Sequence, residues 1–456
     1  MASPLITKDV LQKLSDSNAE KIKLAVVDID GVLRGKVISF EKFMSVAEKG
    51  FGFCDVVFGW DACDIAYDNS KITGWHTGYP DALASIDLQS FRRIPWDNNI
   101  PFFLSDFSHE KSNLHAICPR TLLKRVREKA GRAGYLPYFS QEFEWFNFID
   151  NRDELYKNNF RNPQPLTPGM FGYSVLRASQ EGNYFNDLFD QMKKFNVPIE
   201  GIHTETGPGV YEAAIYYAEI LEAADRAALF KSGVKEIAYR HGIIASFMAK
   251  WNETLPGCSG HVHQSLWSGN GKQNLFVDSA RENGISELME NYIAGQLHCL
   301  PHILPMYAPN INSYKRLVEG AWAPTTLTWA FDNRTTALRV LAGGGNSTRL
   351  ETRVVGSDAN PYLAMSACLA SGLYGIENKL PLNTPVTTGS GYADTKNGIL
   401  PANLWEATRQ MKESPIAKEL FGDEFVAHFA DTREWEWRQY SKAVTDWELK
   451  RYFEII

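Results

Sequence analysis

Residues 136–149 read LPYFSQEFEWFNFI, and this stretch decides the fold. Its aromatic residues predict a β-strand, in which Glu142 and Glu144 alternate with Phe143 and Trp145. Positions i and i+2 of a strand share a face, so two carboxylates leave the same side of an apolar strand. Such a pair is costly to bury unless cations neutralise it. The alternative is an exposed edge strand whose glutamates point to solvent.

Strand-like and helical stretches alternate on both sides of this strand. Before it, residues 21–39 predict a hairpin about an Asp-Gly turn, and residues 118–134 predict a helix. After it, we expect strands at 199–205 and 243–251, helices at 184–195, 212–242 and 285–300, and a helical C-terminal part from residue 400. We place a domain boundary near residue 112, which gives an α+β protein with domains 1–112 and 113–456.

The bulk composition narrows the class of protein. The chain has 456 residues, is 44% apolar and carries a net charge of −7, which disfavours nucleic acid or an anionic membrane surface as partner. It contains no run of 18 apolar residues, so no membrane span is expected. The first 23 residues lack an apolar signal core. Six cysteines without metal or disulfide spacing fit a reduced cytoplasm.

Two further motifs offer metal-binding groups. In HTETGPGVYEAA (203–214), Glu205 and Glu212 flank a Gly-Pro-Gly turn that could bring them together; the alternative is a loop glutamate and a glutamate at a helix start. In PGCSGHVHQSLW (256–267), His261 and His263 form an HxH pair within a glycine-rich turn. Such histidines are a moderate metal signal, since core or surface histidines are common.

A third motif adds arginines. In NSTRLETRVV (346–355), Arg349, Glu351 and Arg353 share one strand face; the alternative is a solvated charged strand. Five carboxylates with one or two imidazoles favour Mg²⁺ or Mn²⁺ over zinc. Divalent ions beside arginines are typical of phosphoryl transfer from ATP. Neither a Walker loop nor a dinucleotide-binding GxGxxG follows a predicted strand.

The order of these motifs resembles the glutamine synthetase family. The resemblance rests on the hairpin stretch DIDGVLRGK and on EFEWF, HTETGPGVYE, GHVHQSL, NSYKRL, DNRTTALRV and RLETRVVGSDANPYL. It implies a small N-terminal β-grasp domain and a large catalytic domain, an incomplete barrel of antiparallel strands flanked by helices. It also implies a dodecamer of two hexameric rings with active sites between subunits.

The resemblance also implies roles for individual residues. One metal ion would be held by Glu144, Glu205 and Glu212. A second, bridging the ATP phosphates, would be held by Glu142, His261 and Glu351. The transferring phosphoryl group would be stabilised by Arg334 and Arg339. The substrate L-glutamate would be bound by Gly257, Arg316 and Arg353. The ATP cleft would be lined by His263 and Ser265.

The sequence departs from this family where the ammonium ion binds. Family members carry a glutamate in a GYEAP flap, whereas residues 320–324 here read GAWAP, with Trp322 in its place. The ammonium-binding aspartate of the N-terminal domain is best matched in FGWDACD (58–64), by Asp61 or next by Asp64. Trp60 and Trp322 would then both face the nucleophile. An indole can pack against the hydrocarbon part of an amine.

These observations favour an ATP-dependent ligase that joins the γ-carboxylate of L-glutamate to an amine through a γ-glutamyl phosphate. Candidate acceptors are alkyl amines, aryl amines, ethanolamine and polyamines; Asp55, Asp61 and Asp64 keep the polyamines open. Asp61 is the candidate base. The alternatives are a glutamine synthetase that uses ammonium, and an inactive structural relative. The alternative for Trp322 is a side chain that only seals the flap, and Trp329 is assigned to the core.

Overall fold

The computed structural model describes residues 9–12, 14, 19–109 and 112–456. The prediction that the first 23 residues lack a signal core falls mostly outside this range. Among the described residues, no helix combines the length and the apolar character needed to cross a membrane.

The N-terminal region is built on a six-stranded sheet. Its elements are β1 (Lys21–Val27), β2 (Leu33–Ser39), α1 (Phe40–Val46), β3 (Phe51–Cys54), β4 (Asp81–Ile86), β5 (Arg92–Ile94) and β6 (Ile100–Asp106). The strand order is β2-β1-β6-β4-β3, with β5 also paired to β6. The hairpin predicted at 21–39 is confirmed, since β1 and β2 are antiparallel from Lys21↔Ser39 to Val27↔Leu33.

The second sheet has nine strands and carries the candidate site. They are β7 (Tyr135–Phe148), β8 (Ile199–Thr204), β9 (Val210–Ile215), β10 (Ala218–Glu219), β11 (Ile244–Ser246), β12 (Val262–Ser268), β13 (Trp329–Phe331), β14 (Leu338–Leu341) and β15 (Arg349–Thr352). Their order is β13-β14-β15-β12-β7-β9-β8, and β10 and β11 also pair with β7. Strand β7, which carries Glu142 and Glu144, therefore lies inside the sheet, between β12 and β9.

One expected helix begins later than predicted. Residues 212–219 were expected to open a helix at 212–242, but 210–215 and 218–219 are strands and the helix runs from Ile220 to Arg240. The strand is favoured because Glu142 to Phe146 of β7 pair with Val210 to Ala214, which hydrogen-bonds this segment into the sheet. Pairing with β7 therefore outweighs the helix propensity of the alanines in this segment.

The second region also contains twelve α-helices within the described residues. They are α2 (Pro119–Arg132), α3 (Arg152–Lys157), α4 (Val175–Gln180), α5 (Gly182–Lys194), α6 (Ile220–Arg240), α7 (Glu287–Ile303), α8 (Ser313–Arg316), α9 (Pro361–Glu377), α10 (Leu404–Glu413), α11 (Pro415–Phe421), α12 (Asp423–Lys442) and α13 (Asp446–Tyr452). The helical C-terminal part is confirmed, as is the α+β class. Trp329 is buried, as expected of a core residue.

A buried ion cluster connects the two regions. Arg120 at the start of α2 bonds to Asp106 at 2.6 Å, to Asp87 at 2.7 Å and to Asp225 of α6 at 2.8 and 2.9 Å. β6 ends at Asp106 and α2 begins at Pro119, so we propose that the domain boundary lies near residue 112.

Candidate active site

Strand β7 presents its two glutamates to one side of the sheet. Phe143 and Trp145 are fully buried on the opposite face, whereas Glu142 and Glu144 are partly accessible. The register places Glu144 directly opposite Glu212 of β9. Like charges in directly opposed positions destabilise a strand pair, so this arrangement requires compensation.

The turn between β8 and β9 adds a third carboxylate. Glu205 and Glu212 each offer an oxygen within 4.8 Å of the other and of a nitrogen of His203. The Gly-Pro-Gly turn thus brings Glu205 and Glu212 together, as the sequence indicated. His203 Nδ1 lies 3.7 Å from Glu205 Oε2, and Nε2 lies 3.7 Å from Glu212 Oε2.

The electrostatics of these carboxylates indicate an unbalanced negative charge. Burial raises the pKa of Glu212 to about 10, with further contributions from Glu144, Glu142 and Glu205. Burial also raises the pKa of Glu144 to about 7, although Ser259 N–H donates to it at 2.6 Å. A divalent cation would remove this penalty.

The second group of candidate ligands lies on β7, β12 and β15. His261 Nδ1 is 3.6 Å from Glu142 Oε2 and 3.3 Å from Glu351 Oε1. His263 Nε2 is 3.2 Å from Glu142 Oε1, and Glu142, His263 and Glu351 also satisfy the spacing of a metal site. The sequence offered His263 as half of an HxH metal signal, and the family resemblance placed it in the nucleotide cleft. Its geometry makes it a second candidate imidazole ligand.

Both groups fit hard divalent ions. Ligands of one octahedral ion at about 2.1 Å stand roughly 3 Å apart, close to the nitrogen–oxygen separations found here. Within the part of the chain that the structure describes, the buried Nε2 of His261 has no hydrogen-bond partner, and the two carboxylates converge on its Nδ1. Carboxylates with few nitrogens are the donor set of Mg²⁺ or Mn²⁺.

Two of the predicted arginines converge on Glu351. Arg339 Nη1 donates to Glu351 Oε2 at 3.0 Å, and Arg353 Nη1 bonds to Glu351 Oε1. Burial alone would raise the pKa of Glu351, but the charges of His261, His263 and Arg353 outweigh it and lower the pKa to about 2. Arg334 is exposed at the same edge, where a guanidinium can meet an anion.

The expected glutamate-binding residues lie together below this edge. Arg316 is buried and donates to Val354 O at 3.0 Å, Arg353 O at 3.1 Å and Ser259 Oγ at 3.2 Å. A Cβ on Gly257 would stand 2.5 Å from Ala249 O and 3.0 Å from Arg316 Cγ, so only glycine fits. Much of the Arg316 guanidinium is thus bonded to the protein, and its contact with glutamate stays a prediction.

A cavity of about 320 Å³ opens beside Glu142 and His263. It is lined by Ser265, as expected of the nucleotide cleft, and by aromatic residues that the sequence analysis did not single out. The Tyr138 ring contacts Tyr217 and Trp267 at centroid distances of 5.9 and 5.7 Å. Such rings offer stacking surface to a planar base.

Trp322 stands out in the segment where the family flap is expected. Its side chain is 58% exposed and its φ is +56°, a left-handed conformation that is costly for a bulky residue. The following residue, Ala323, is fully buried, so the chain is anchored directly beside the exposed indole. The structure therefore presents Trp322 at the surface.

The N-terminal candidates for the amine site are not joined to either carboxylate group within the described chain. Asp61 Oδ2 accepts a bond from Trp435 Nε1 at 3.0 Å, and Asp64 pairs with Arg34 at 2.7 Å. The Arg34 guanidinium also lies 5.2 Å from the Trp60 ring. Asp55 is buried and accepts from Asn113 at 3.3 Å. Three free carboxylates for a polyamine are therefore not offered.

Two candidate site residues were not predicted from the sequence. His203 lies between Glu205 and Glu212, and Tyr173 stacks on it with a centroid distance of 4.4 Å. The HxE spacing of His203 and Glu205 on one strand face could have indicated the histidine. Tyr173 lies 30 residues before His203 in a segment without regular pattern, and its position follows only from its backbone bond to Thr204 O at 2.7 Å.

Residues 116–452 match the family described as "Glutamine synthetase, catalytic domain". The chain belongs to the glutamine synthetase family. Among curated proteins, type-1 glutamine synthetase 2 of Dictyostelium discoideum is 51% identical over 98% of this chain and 86% of its own length. Glutamate–isopropylamine ligase of a Pseudomonas species is 37% identical over 99% of this chain and 98% of its own.

The fold is likewise that of this family. A solved structure titled as a GmaS–ADP complex superimposes with a TM-score of 0.84 at 27% identity, covering 98% of this chain and 99% of that one. The family, the fold class and the ligase class expected from the motifs are thereby confirmed.

Proposed function

We propose that this protein couples ATP hydrolysis to the joining of L-glutamate, through its γ-carboxylate, with a small organic amine, giving a γ-glutamylamide. The observation that carries the proposal is Trp322. An exposed indole in a strained conformation stands where the family has its ammonium-binding glutamate. The 37% identity to a ligase named for isopropylamine supports it.

The carboxylate groups supply the sites for two divalent ions, Mg²⁺ or Mn²⁺. In this proposal the first ion is held by Glu144, Glu205 and Glu212. The second is held by Glu142, Glu351 and His261, with His263 beside it. The ions neutralise phosphate charge when bound.

The chain's own residues then perform distinct tasks. Arg339, fixed by Glu351, and the exposed Arg334 stabilise the phosphoryl group as it passes to the γ-carboxylate. Arg316, Arg353 and Gly257 form the glutamate side, where the close packing of Gly257 holds Arg316 in place. The aromatic cavity beside His263 and Ser265 receives the nucleotide.

The amine side combines apolar surface with one carboxylate. Trp322 and Trp60 pack against the hydrocarbon part, and Asp61 accepts the proton of the attacking amine. Because Asp55 is buried and Asp64 is paired with Arg34, small alkyl amines, ethanolamine or an aryl amine fit better than polyamines. Asp61 lies apart from its own chain's carboxylate groups, which favours a site completed by a neighbouring subunit, in a dodecamer of two hexameric rings.

A panel of amines tests the proposal. Phosphate release would be measured with glutamate, ATP and Mg²⁺ on ammonium, isopropylamine, ethanolamine, aniline and putrescine. Burying a small alkyl or aryl group against indole stabilises by about 1.5–3 kcal/mol, so kcat/KM should favour a substituted amine over ammonium by roughly tenfold to a hundredfold.

A variant pair sharpens this test. Trp322→Glu should shift the preference back toward ammonium, because it restores a carboxylate and removes apolar surface. Trp447→Glu is the matched control, since Trp447 of α13 is 60% exposed. An ammonium kcat/KM equal to or above that of every amine would refute the proposal.

The second candidate is a glutamine synthetase with an unusual flap. The observation that favours it is the 51% identity to a Dictyostelium protein named as a glutamine synthetase. The same panel decides between the two functions, because only the amine ligase should discriminate against ammonium.

A further inference from the structure

Residues 60–69 form a turn at the surface, which we call the amine loop. Trp60 and Ala66 form an antiparallel bridge at its base. Asp61 Oδ1 accepts the backbone N–H groups of Cys63 at 2.9 Å and of Ile65 at 3.0 Å. One oxygen of Asp61 therefore builds the turn itself, which leaves Oδ2 for contacts elsewhere.

The amine loop rests on helix α12. Trp435 donates its indole N–H to Asp61 Oδ2 at 3.0 Å. One helical turn earlier, the carbonyl of Asp431 accepts from Asn69 Nδ2 at 2.7 Å. Both ends of the loop are thus bound to the same helix.

A third contact lies on the same helix face. Arg438 pairs with Asp68, with Nη1 3.0 Å from Oδ2. Positions 431, 435 and 438 are spaced i, i+4 and i+7, so they follow one side of α12. The Trp435 ring is held between the Arg438 guanidinium at 5.4 Å and the Tyr67 ring at 5.9 Å. The indole that donates to Asp61 is therefore held by contacts with two neighbouring side chains.

We propose that Trp435 is a positioning residue for amine selection. It is buried, and it acts through Asp61 without touching the amine. With Oδ1 bound to the turn and Oδ2 bound to α12, the Asp61 carboxylate has a fixed orientation, and the amine loop keeps Trp60 at a fixed distance from it. The inference rests on the proposed function, because it takes this loop as the amine side of the site.

Trp435→Phe tests the inference, because phenylalanine keeps a ring between Tyr67 and Arg438 but has no N–H donor. Loss of one hydrogen bond to a carboxylate should raise KM for the best amine about three- to tenfold. KM for ATP and for glutamate should stay within about twofold. Trp437→Phe is the matched control on the same helix, since Trp437 stacks on Trp405 at 6.2 Å and should leave every KM unchanged.

A double-mutant cycle separates positioning from general support. In the Asp61→Asn background, Trp435→Phe should have little further effect on the amine KM, because the carboxylate it orients is gone. Equal changes in all three KM values, additive effects in the cycle, or an unchanged amine KM would each overturn the inference.

Two features keep the test decisive. If Trp435→Phe does not assemble, Arg438→Gln is the second variant, because it removes the neighbouring contact of the indole. It should raise the amine KM by a smaller factor, and an unchanged amine KM in this variant would overturn the inference. The wild-type panel alone decides the proposed function. The positioning role is decided by the ratio of the variant's amine KM to the wild-type amine KM. This ratio can be measured with ammonium if ammonium is the better substrate.

Discussion

Among the described residues, two clusters of wholly or partly buried carboxylates differ in what neutralises them. In the first, Arg120 bonds to Asp87, Asp106 and Asp225. Burial alone would raise the pKa of Asp106, but the charges of Arg120 and Lys124 outweigh it and lower this pKa. In the second, Glu144 and Glu212 face each other across β7 and β9, and their pKa values are raised to about 7 and about 10.

The difference teaches how to separate a structural cluster from a cation site. Burial would raise the pKa of Asp87 and of Asp106, but the charges of Arg120 and Lys124 lower both, so this cluster needs nothing from outside. Where glutamates face each other across two strands and one histidine lies beside them, the missing positive charge must come from a ligand. Carboxylates are withdrawn from solvent in both groups, so it is the local charge balance that identifies the site.

The largest effect is expected from removing the internal cation. Arg120→Met leaves the buried Asp106 and Asp225 and the partly buried Asp87 without their shared partner. It should lower the free energy of unfolding by about 3–5 kcal/mol. Denaturant unfolding with and without Mg²⁺ would measure it. Arg127→Met on the same helix is the control, because its pair with Glu219 is partly exposed and should contribute at most about 1 kcal/mol. Equal losses in both variants would contradict the comparison.

A smaller effect is expected from the external cation. Mg²⁺ at 100 times its Kd should stabilise the wild type by about 2.7 kcal/mol. Glu212→Gln removes one of the facing charges, so without metal the variant should be at least as stable as the wild type. It should lose both the stabilisation by Mg²⁺ and the enzymatic activity. Thermal unfolding with Mg²⁺ or EDTA tests both, with the exposed Glu253→Gln as control. Retained activity in Glu212→Gln would remove this residue from the site.

The third effect is a dependence on pH, and it is the smallest when it is counted for one group and one pH unit. The pKa values of Glu144 and Glu212 are higher in the folded state than the ordinary 4.5, so the folded state binds more protons and loses stability as pH rises. The contribution of Glu144 is lost between about pH 4.5 and 7, and that of Glu212 continues to about pH 10. Each group contributes at most about 1.4 kcal/mol per pH unit.

Unfolding of the metal-free protein across this range measures the slope. Saturating Mg²⁺ should abolish it, because both carboxylates are then ionised in the folded protein. Glu212→Gln without metal should keep only the part below about pH 7. A slope that is identical with and without Mg²⁺ would show that these two groups do not bind the ion.

The sequence predicted the elements whose pattern is local. The alternation around Glu142 and Glu144, the hairpin at 21–39 and the Gly-Pro-Gly reversal all follow from spacing within a few residues, and all are found. The strand at 210–215 was missed because its alanines favour a helix until β7 provides a partner. The sequence of one segment alone does not indicate that it pairs with a strand far away in the chain.

The candidate site shows the same division. The structure brings the motif carboxylates of Glu205 and Glu212 together. The stacking of Tyr173 on His203 and the aromatic cavity around Tyr138 were not predicted, although His203 and Tyr138 stand in quoted motifs. The pairing of Asp64 with Arg34 was also not predicted, because Arg34 lies on β2, 30 residues before the turn that holds Asp64. Charge pairing over long sequence separation decides which carboxylates are free, and a single sequence does not display it.

The Arg120 cluster has a consequence for how this chain can be cut or recombined. Two of its three aspartates, Asp87 and Asp106, come from the N-terminal sheet, while Asp225 and Arg120 come from helices beyond residue 112. A fragment beginning there would keep Arg120 with only one of its acceptors. The N-terminal sheet is therefore not a detachable module. A chimera of two relatives joined at residue 112 should fold only when the donor of each half brings its share of this arginine–aspartate set.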